Sequence, residues 1–473
     1  MSQIKFGTSG WRGILCEDFT LDNVRVVTQA IADHLRAEGL ANKGVLIGYD
    51  ARFMGADFAR ETARVLAGAG IKAYLCNRDT PTPVIAHELL RRGLAGAINF
   101  TASHNPYNYN GIKFSPAWGG PALPETTGDI EKRANEMLGE LVFKDLSLDK
   151  AAAQGLFELV DPRPAYFATL RKLIDFDAIA ASGMKLAVNP LYGSGRDYLD
   201  TLLEEAGVAI VKINQHLDPY FGGEPPEPAE AHIADFIDLI KSDNSIALGV
   251  ATDGDADRFG IVDADGSYIE PNYILALLFD YMIRRKGMRG NAARSVATSA
   301  LIDAVAKYHG VEVLETPVGF KYIGEYISEN KILIGGEESA GLSIRGHVPE
   351  KDGILACLLV AEMVAVEKRS LRELLNDLYS RVGEIYTRRI NISLSPELEA
   401  ALPGKLQNPP EEIGGRKITE IIRIDGNKYL FDDGSWMLFR KSGTEPVVRL
   451  YGEAGTAESL TELIKAGEAF ILG

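Results

Sequence analysis

The 473-residue chain is 46% apolar and 25% charged, a globular composition that excludes a disordered polymer. Its 66 Asp and Glu outnumber 50 Lys and Arg, and a formal charge of −16 argues against nucleic acid as a partner, because phosphate contacts rest on basic side chains. Three dispersed cysteines, Cys16, Cys76 and Cys357, exclude a disulfide framework and a cysteine-rich zinc site and fit a reducing compartment.

Read from the N-terminus, the chain shows no basic start followed by an apolar signal core. Gly44 to Tyr49 is predicted as a buried strand, Ala56 to Ala67 as a helix, Ile71 to Cys76 as a strand, Val84 to Arg92 as a helix and Ala95 to Phe100 as a strand. A second round runs through Lys185 to Asn189 (strand), Asp197 to Ala206 (helix), Val208 to Ile213 (strand), Ile233 to Lys241 (helix) and Ile246 to Ala251 (strand). The third takes helix Ile274 to Arg285, strand Val296 to Ser299, helix Ile302 to Tyr308, strand Val311 to Glu315, helix Tyr322 to Ser328 and strand Ile332 to Ile334. Such alternation predicts parallel or mixed sheets covered by helices, in three similar α/β units without a sharp sequence repeat. The apolar run Ile354 to Val366 reads as a helix too short to span a bilayer, so a cytoplasmic protein without a membrane partner is expected. The last stretch differs, with an alternating strand over Thr387 to Ser393, hairpin signals at Asp425-Gly426 and Asp433-Gly434, and a closing helix Ser459 to Phe470. Four domains are expected: 1–160, 161–261, 262–381 and a smaller α+β unit, 382–473.

Asp253-Gly254-Asp255-Ala256-Asp257-Arg258 directly follows a predicted strand, at the end where α/β proteins place ligands. Three carboxylates at alternate positions repel one another unless a hard cation such as Mg²⁺, Mn²⁺ or Ca²⁺ neutralises them; a solvated acidic turn is the alternative. Thr101-Ala102-Ser103-His104-Asn105-Pro106 also follows a strand. No nucleophile elbow surrounds Ser103, so a phosphate-carrying serine fits better than a hydrolase, with a capping or loop serine as the plain reading. Arg440-Lys441-Ser442-Gly443-Thr444-Glu445-Pro446, with Arg449 beyond, offers forked donors, hydroxyls and an open backbone to an anion, or else a basic hairpin turn. In Gly336-Glu337-Glu338-Ser339-Ala340-Gly341, Glu337 and Ser339 lie two apart and suit adjacent sugar hydroxyls. Gly7 to Gly13 is no P-loop, and Arg12 within it is either an anion contact or a surface arginine.

Together and in this order, these clusters resemble the α-D-phosphohexomutase superfamily, the phosphoglucomutases and phosphomannomutases. The resemblance implies four domains around a cleft, with Ser103 as the phosphoserine and Asp253, Asp255 and Asp257 holding Mg²⁺ with the Ser103 phosphate as a further ligand. It implies Arg12 and Arg258 as phosphoryl-positioning residues and Lys113 as the acid/base, which requires a depressed pKa. It assigns Glu337 and Ser339 to sugar hydroxyls, and Arg440, Ser442, Gly443 and Thr444 to the phosphate that stays, with Arg449 in the same basic set. Thr316 to Lys321 is similar to the sugar loop of phosphoglucomutases, which makes Lys321 a substrate contact. The expected reaction interconverts glucose 1-phosphate and glucose 6-phosphate, with glucose 1,6-bisphosphate as activator and intermediate. A phosphomannomutase or dual-specificity enzyme is the alternative, with phosphoglucosamine mutase behind it. Hexose phosphates are the expected partners, and monomer or dimer stays open.

Overall fold

Val45–Tyr49, Ala73–Cys76 and Gly96–Phe100 are short apolar runs, the first and last buried almost throughout, and they pair in parallel as such runs do when helices cover both faces of a sheet. The computed structural model describes residues 3–7, 10–140, 143–441 and 447–473. In the first sheet these strands are joined by Phe157–Val160 on one side and by antiparallel Tyr109–Pro116 and Trp11–Ile14 on the other.

The next two sheets repeat this order. In the second, Ala209–Lys212, Lys185–Asn189 and Ile246–Thr252 run parallel, and Phe259–Asp263 returns antiparallel beside the last. In the third, Val313–Thr316, Asn291–Ser295 and Ile332–Glu337 are parallel and Gly341–Ile344 returns antiparallel. Three similar α/β units are therefore real, although their sequences hide it. The fourth sheet is antiparallel from Tyr386–Ser393 through Glu412–Ile413, with helix Ala457–Leu472 packed on it, and Gly426 and Gly434 take the left-handed conformations their hairpins require.

Two expectations are corrected. Val296 to Ser299 is a turn, and the strand lies earlier, at Asn291–Ser295. A charged Arg294 masks it in the sequence; in the fold Asp303 (2.6 Å) and Glu315 (2.5 Å) neutralise that guanidinium. A boundary at 261/262 would cut strand Phe259–Asp263, which pairs on with Tyr268–Ile269 inside the second sheet.

Helix Gly353–Glu367 is apolar on every side apart from buried Glu362, because it is covered all round: it lies against strands Ile246–Thr252 and Phe259–Asp263 of the second unit and helix Pro271–Arg284 of the third. Asp352 caps its N-terminus by accepting from Leu355 N–H at 2.9 Å, and Gly353 is required there because a Cβ would stand 2.2 Å from the Arg258 carbonyl. Among the described residues no helix is long and apolar enough to cross a membrane. The fourth unit meets the third through a small apolar seam of Val296 and Ala297 with Trp436, Leu438 and Tyr451. Buried Glu453 accepts from Ser299 Oγ (2.6 Å) and Trp436 Nε1 (2.6 Å), and Lys428 Nζ reaches the Val296 carbonyl at 3.0 Å.

Candidate active site

The repeated topology places one connection of each α/β unit at the same station. Residues 101–108 join Gly96–Phe100 to Tyr109–Pro116, residues 253–258 join Ile246–Thr252 to Phe259–Asp263, and residues 338–340 join Ile332–Glu337 to Gly341–Ile344. These are the three motif loops. Packing the three sheets together brings serine, aspartates and sugar loop toward one centre, at strand ends where α/β folds carry ligands.

Ser103 is buried and donates from Oγ to Asp253 Oδ2 at 2.8 Å, while His104 Nδ1 stands 3.3 Å away. The two loops come this close because residue 254 is glycine; a Cβ there would lie 2.8 Å from the Ser103 carbonyl oxygen. Asp253, Asp255 and Asp257 are all buried, each offering an oxygen within 4.8 Å of the others'. Asp255 Oδ1 and Asp257 Oδ1 have no hydrogen-bond partner although both are buried. Orphaned carboxylate oxygens in an all-oxygen set fit a hard divalent cation and leave a solvated acidic turn without support. Burial, then repulsion from Asp255 and Asp257, pushes the Asp253 carboxyl well above its usual range.

A ring of cations surrounds the triad. Lys113, on strand Tyr109–Pro116, reaches Asp255 Oδ2 at 2.7 Å and Asp257 Oδ2 at 3.3 Å. Burial pulls its pKa down, but the two carboxylates outweigh burial and the net direction is up, opposite to the depression expected for an acid/base lysine. Arg258 donates its backbone N–H to Asp253 Oδ1 (3.1 Å) and its Nη1 to Glu227 (3.2 Å), and its buried Nε has no partner. Arg12 bonds Asn105 Oδ1 of the serine loop and lies close enough to feel Arg258, Asp255 and Asp257. Three more residues belong here that the motifs did not reveal. Lys351 Nζ stands 3.0 Å from Asp257, Thr82 Oγ1 donates to Asp255 Oδ2 at 2.6 Å, and Arg52 grips the serine loop backbone. A lysine between two acids just before an apolar helix, and a threonine before a proline, are the only signals the sequence held.

Glu337 is buried and accepts the Gly319 N–H of the 316–321 loop at 2.7 Å, so the two sugar-loop candidates are tied together. Burial and then Glu338 push its carboxyl up to about 7. Ser339 is half-buried and shares the wall of a cavity of about 430 Å³ with Arg258 and with Arg388, Arg389 and Tyr451 of the fourth unit. Lys321 is half-buried near Glu125 of the first unit rather than beside the triad. In the fourth unit Arg440 and Arg449 are cross-strand partners, Arg440 Nε donates to Asp425 (2.9 Å), and Asp425 accepts Val318 N–H at 3.1 Å. Like charges directly opposite are unfavourable unless anions answer them. Ser442, Gly443 and Thr444 lie outside the described residues.

Three related α/β units and an antiparallel fourth, meeting at a serine, a cation-ready triad and a basic rim, define a phosphoryl-transfer protein. Family models describing phosphoglucomutase/phosphomannomutase α/β/α domains I, II and III match residues 3–138, 164–266 and 270–382, and that for the C-terminal domain matches 390–467. A phosphoglucomutase of Komagataeibacter xylinus is 30% identical, over 96% of this chain and 87% of its own, and a phosphoglucomutase/phosphomannomutase of Thermococcus kodakarensis is 31% identical over 98% and 97%. A phosphoglucosamine/phosphogalactosamine mutase of Sulfurisphaera tokodaii is 26% identical over 99% of both. The open-form crystal structure of parafusin, a phosphoglucomutase from Paramecium, superimposes with a TM-score of 0.85 at 25% identity over 99% of this chain and 95% of that one. The chain belongs to the phosphoglucomutase/phosphomannomutase family of α-D-phosphohexomutases, enzymes of the mutase type.

Proposed function

We propose that the protein interconverts glucose 1-phosphate and glucose 6-phosphate through a phosphoserine at position 103 and a glucose 1,6-bisphosphate intermediate. The carrying observation is the 2.8 Å contact of Ser103 Oγ with Asp253 inside the buried triad and its ring of cations. A sugar hydroxyl oxygen attacks phosphorus in line, the bond from phosphorus to Ser103 Oγ breaks, and Lys113 relays the hydroxyl proton to the departing Ser103 Oγ, giving up one ammonium proton as it takes the other, so that the serine ends as a hydroxyl. The bisphosphate then turns end for end and its other phosphoryl group returns to Ser103, so the enzyme ends as it began.

Phosphoryl transfer asks the protein for positioning and charge more than for covalent chemistry. Arg12 and Arg258 hold the moving phosphoryl group, and Arg258 Nε is a buried donor ready for it. Asp253, Asp255 and Asp257, with an oxygen of the Ser103 phosphate, would hold Mg²⁺, which when bound cancels oxygen charge and loosens the two carboxylates' hold on Lys113. Glu337, Ser339 and Lys321 bind sugar, and Arg440, Ser442, Gly443, Thr444 and Arg449 bind the phosphate that stays. The Glu337–Gly319 link and the resemblance of the 316–321 loop support glucose. Mannose is the alternative, supported by the Thermococcus relative's double name, and glucosamine by the Sulfurisphaera one. Free thiols at Cys16, Cys76 and Cys357 support a cytoplasmic setting.

A coupled assay with the 1-phosphates of glucose, mannose and glucosamine tests the substrate. The reading holds if glucose 1-phosphate has the highest kcat/KM and Ser103 gains one phosphoryl mass from glucose 1,6-bisphosphate. Release of inorganic phosphate without isomerisation would make the protein a phosphatase instead.

A further inference from the structure

We propose that Arg52 is a positioning residue for the transferring serine: its guanidinium fixes the backbone of the 103–109 loop in the conformation that presents the Ser103 hydroxyl to Asp253. This rests on the phosphoserine reading above and adds a second residue to it, one that never touches the reacting oxygen.

The Arg52 side chain is fully buried, and all five of its guanidinium N–H groups are spent locally. Nη2 donates to the Ser103 and Asn105 carbonyls at 2.6 Å each, Nη1 to the Pro106 carbonyl (2.7 Å) and the Tyr109 carbonyl (3.0 Å), and Nε to Asp50 Oδ2 (3.1 Å). Three of the five acceptors are thus backbone oxygens of the loop that carries the serine, and a fourth, Tyr109, opens the strand that follows it. Asp50 closes the ring from the other side: its Oδ2 accepts from Thr101 Oγ1 at 2.6 Å, and Thr101 Oγ1 accepts the Ser103 N–H at 2.8 Å. Both the amide and the carbonyl of Ser103 are therefore held through one Asp–Arg pair.

Ser103 needs holding. Its φ is +51°, the left-handed region that a serine rarely occupies and that persists only where surroundings over-determine it. In this conformation the carbonyl is turned to Arg52 and the hydroxyl to Asp253. The surroundings agree, since the guanidinium also lies over Phe221 of the second unit, 5.0 Å from its ring centre. A buried ion pair is a weak way to gain stability. An arginine whose planar fork reads four carbonyls is instead a device for geometry, which a lysine with three donors on one nitrogen cannot copy. It also leaves Oγ free to change between hydroxyl and phosphate while the backbone stays put.

The test compares Arg52→Lys, Arg52→Ala, Thr101→Val and Ser103→Ala with the full-length enzyme. For both Arg52 variants kcat and the single-turnover loading of Ser103 from glucose 1,6-bisphosphate should fall about 100-fold, the scale of a misplacement near 1 Å. KM for glucose 1-phosphate and Mn²⁺ binding to the triad should stay near wild type. Guanidinium ion at a non-denaturing concentration should restore part of the Arg52→Ala rate and none of the Ser103→Ala rate. Wild-type kcat in either folded Arg52 variant overturns the proposal, as does a lowered melting temperature as the sole change. If neither Arg52 variant folds, Thr101→Val decides: a loss in kcat at constant KM supports the clamp, and an unchanged kcat overturns it. Full activity in Ser103→Ala would instead remove the phosphoserine reading, an outcome separate from any result at Arg52.

Discussion

The serine–aspartate centre and the arginine pair of the fourth unit are built on opposite plans. At the centre, the first three units interlock through buried charge: Lys113 on two aspartates, Lys351 on Asp257, Thr82 on Asp255 and Gly353 packed on the Arg258 carbonyl. The fourth unit attaches through five buried apolar side chains and the polar bonds of Glu453 and Lys428, with Asp425 linking Arg440 to the 316–321 loop. Chemistry that moves a phosphoryl group gains from donors fixed before the reaction begins, because nothing must then reorganise in the transition state. An intermediate that must turn over gains from an end that grips and lets go. Under the proposed mechanism, the over-braced centre and the separately attached fourth unit match these two demands.

Removing the nucleophile breaks the comparison at its strong end. Ser103→Ala should lower kcat at least about 10⁴-fold in the coupled assay, the scale of losing a covalent nucleophile. Next in size, Asp255→Asn should cost about 10²–10³-fold in kcat, and chelation should abolish activity that added Mg²⁺ restores. The other end should respond differently. Arg440→Ala removes a charged donor, so KM for glucose 1-phosphate should rise about 10–100-fold with kcat less affected. Equal falls in kcat and kcat/KM would place Arg440 in the transition state and erase the contrast. At the seam, Glu453→Ala strands donors from Ser299, Ala300 and Trp436, and should cost about 1–3 kcal/mol. That loss should appear in denaturant titration as an earlier unfolding of the fourth unit. The last prediction concerns Glu337, and its effect is confined to one pH window. Its carboxyl rises from an ordinary 4.5 to about 7, so the folded chain binds that proton more tightly than the unfolded one, and stability contributed by it is lost as pH climbs from 4.5 through 7. Glu337→Gln should flatten this slope in melting temperatures taken across that window.

What the sequence determined by itself was the alternation of elements, the separateness of the last unit and the residue types of the chemistry. Ser103, the three aspartates, Lys113, Arg12 and Arg258 do converge, since short motifs at strand ends carry their chemistry in adjacent positions. Boundaries and hidden strands were not legible. Asn291–Ser295 reads as polar until Asp303 and Glu315 neutralise Arg294, and helix Gly353–Glu367 reads as unusually apolar until two units cover it. Only the tertiary structure decided which distant residues serve the site. Arg52, Thr82 and Lys351 lie 51, 173 and 94 positions along the chain from Ser103, Asp255 and Asp257, the residues they brace, and each looks ordinary in its own segment. It also decided the sign of the Lys113 shift, which follows from two carboxylates brought from another unit. Local sequence encodes backbone preference and chemical type; the electric field and the strain at a reacting atom are sums over neighbours that only folding brings together.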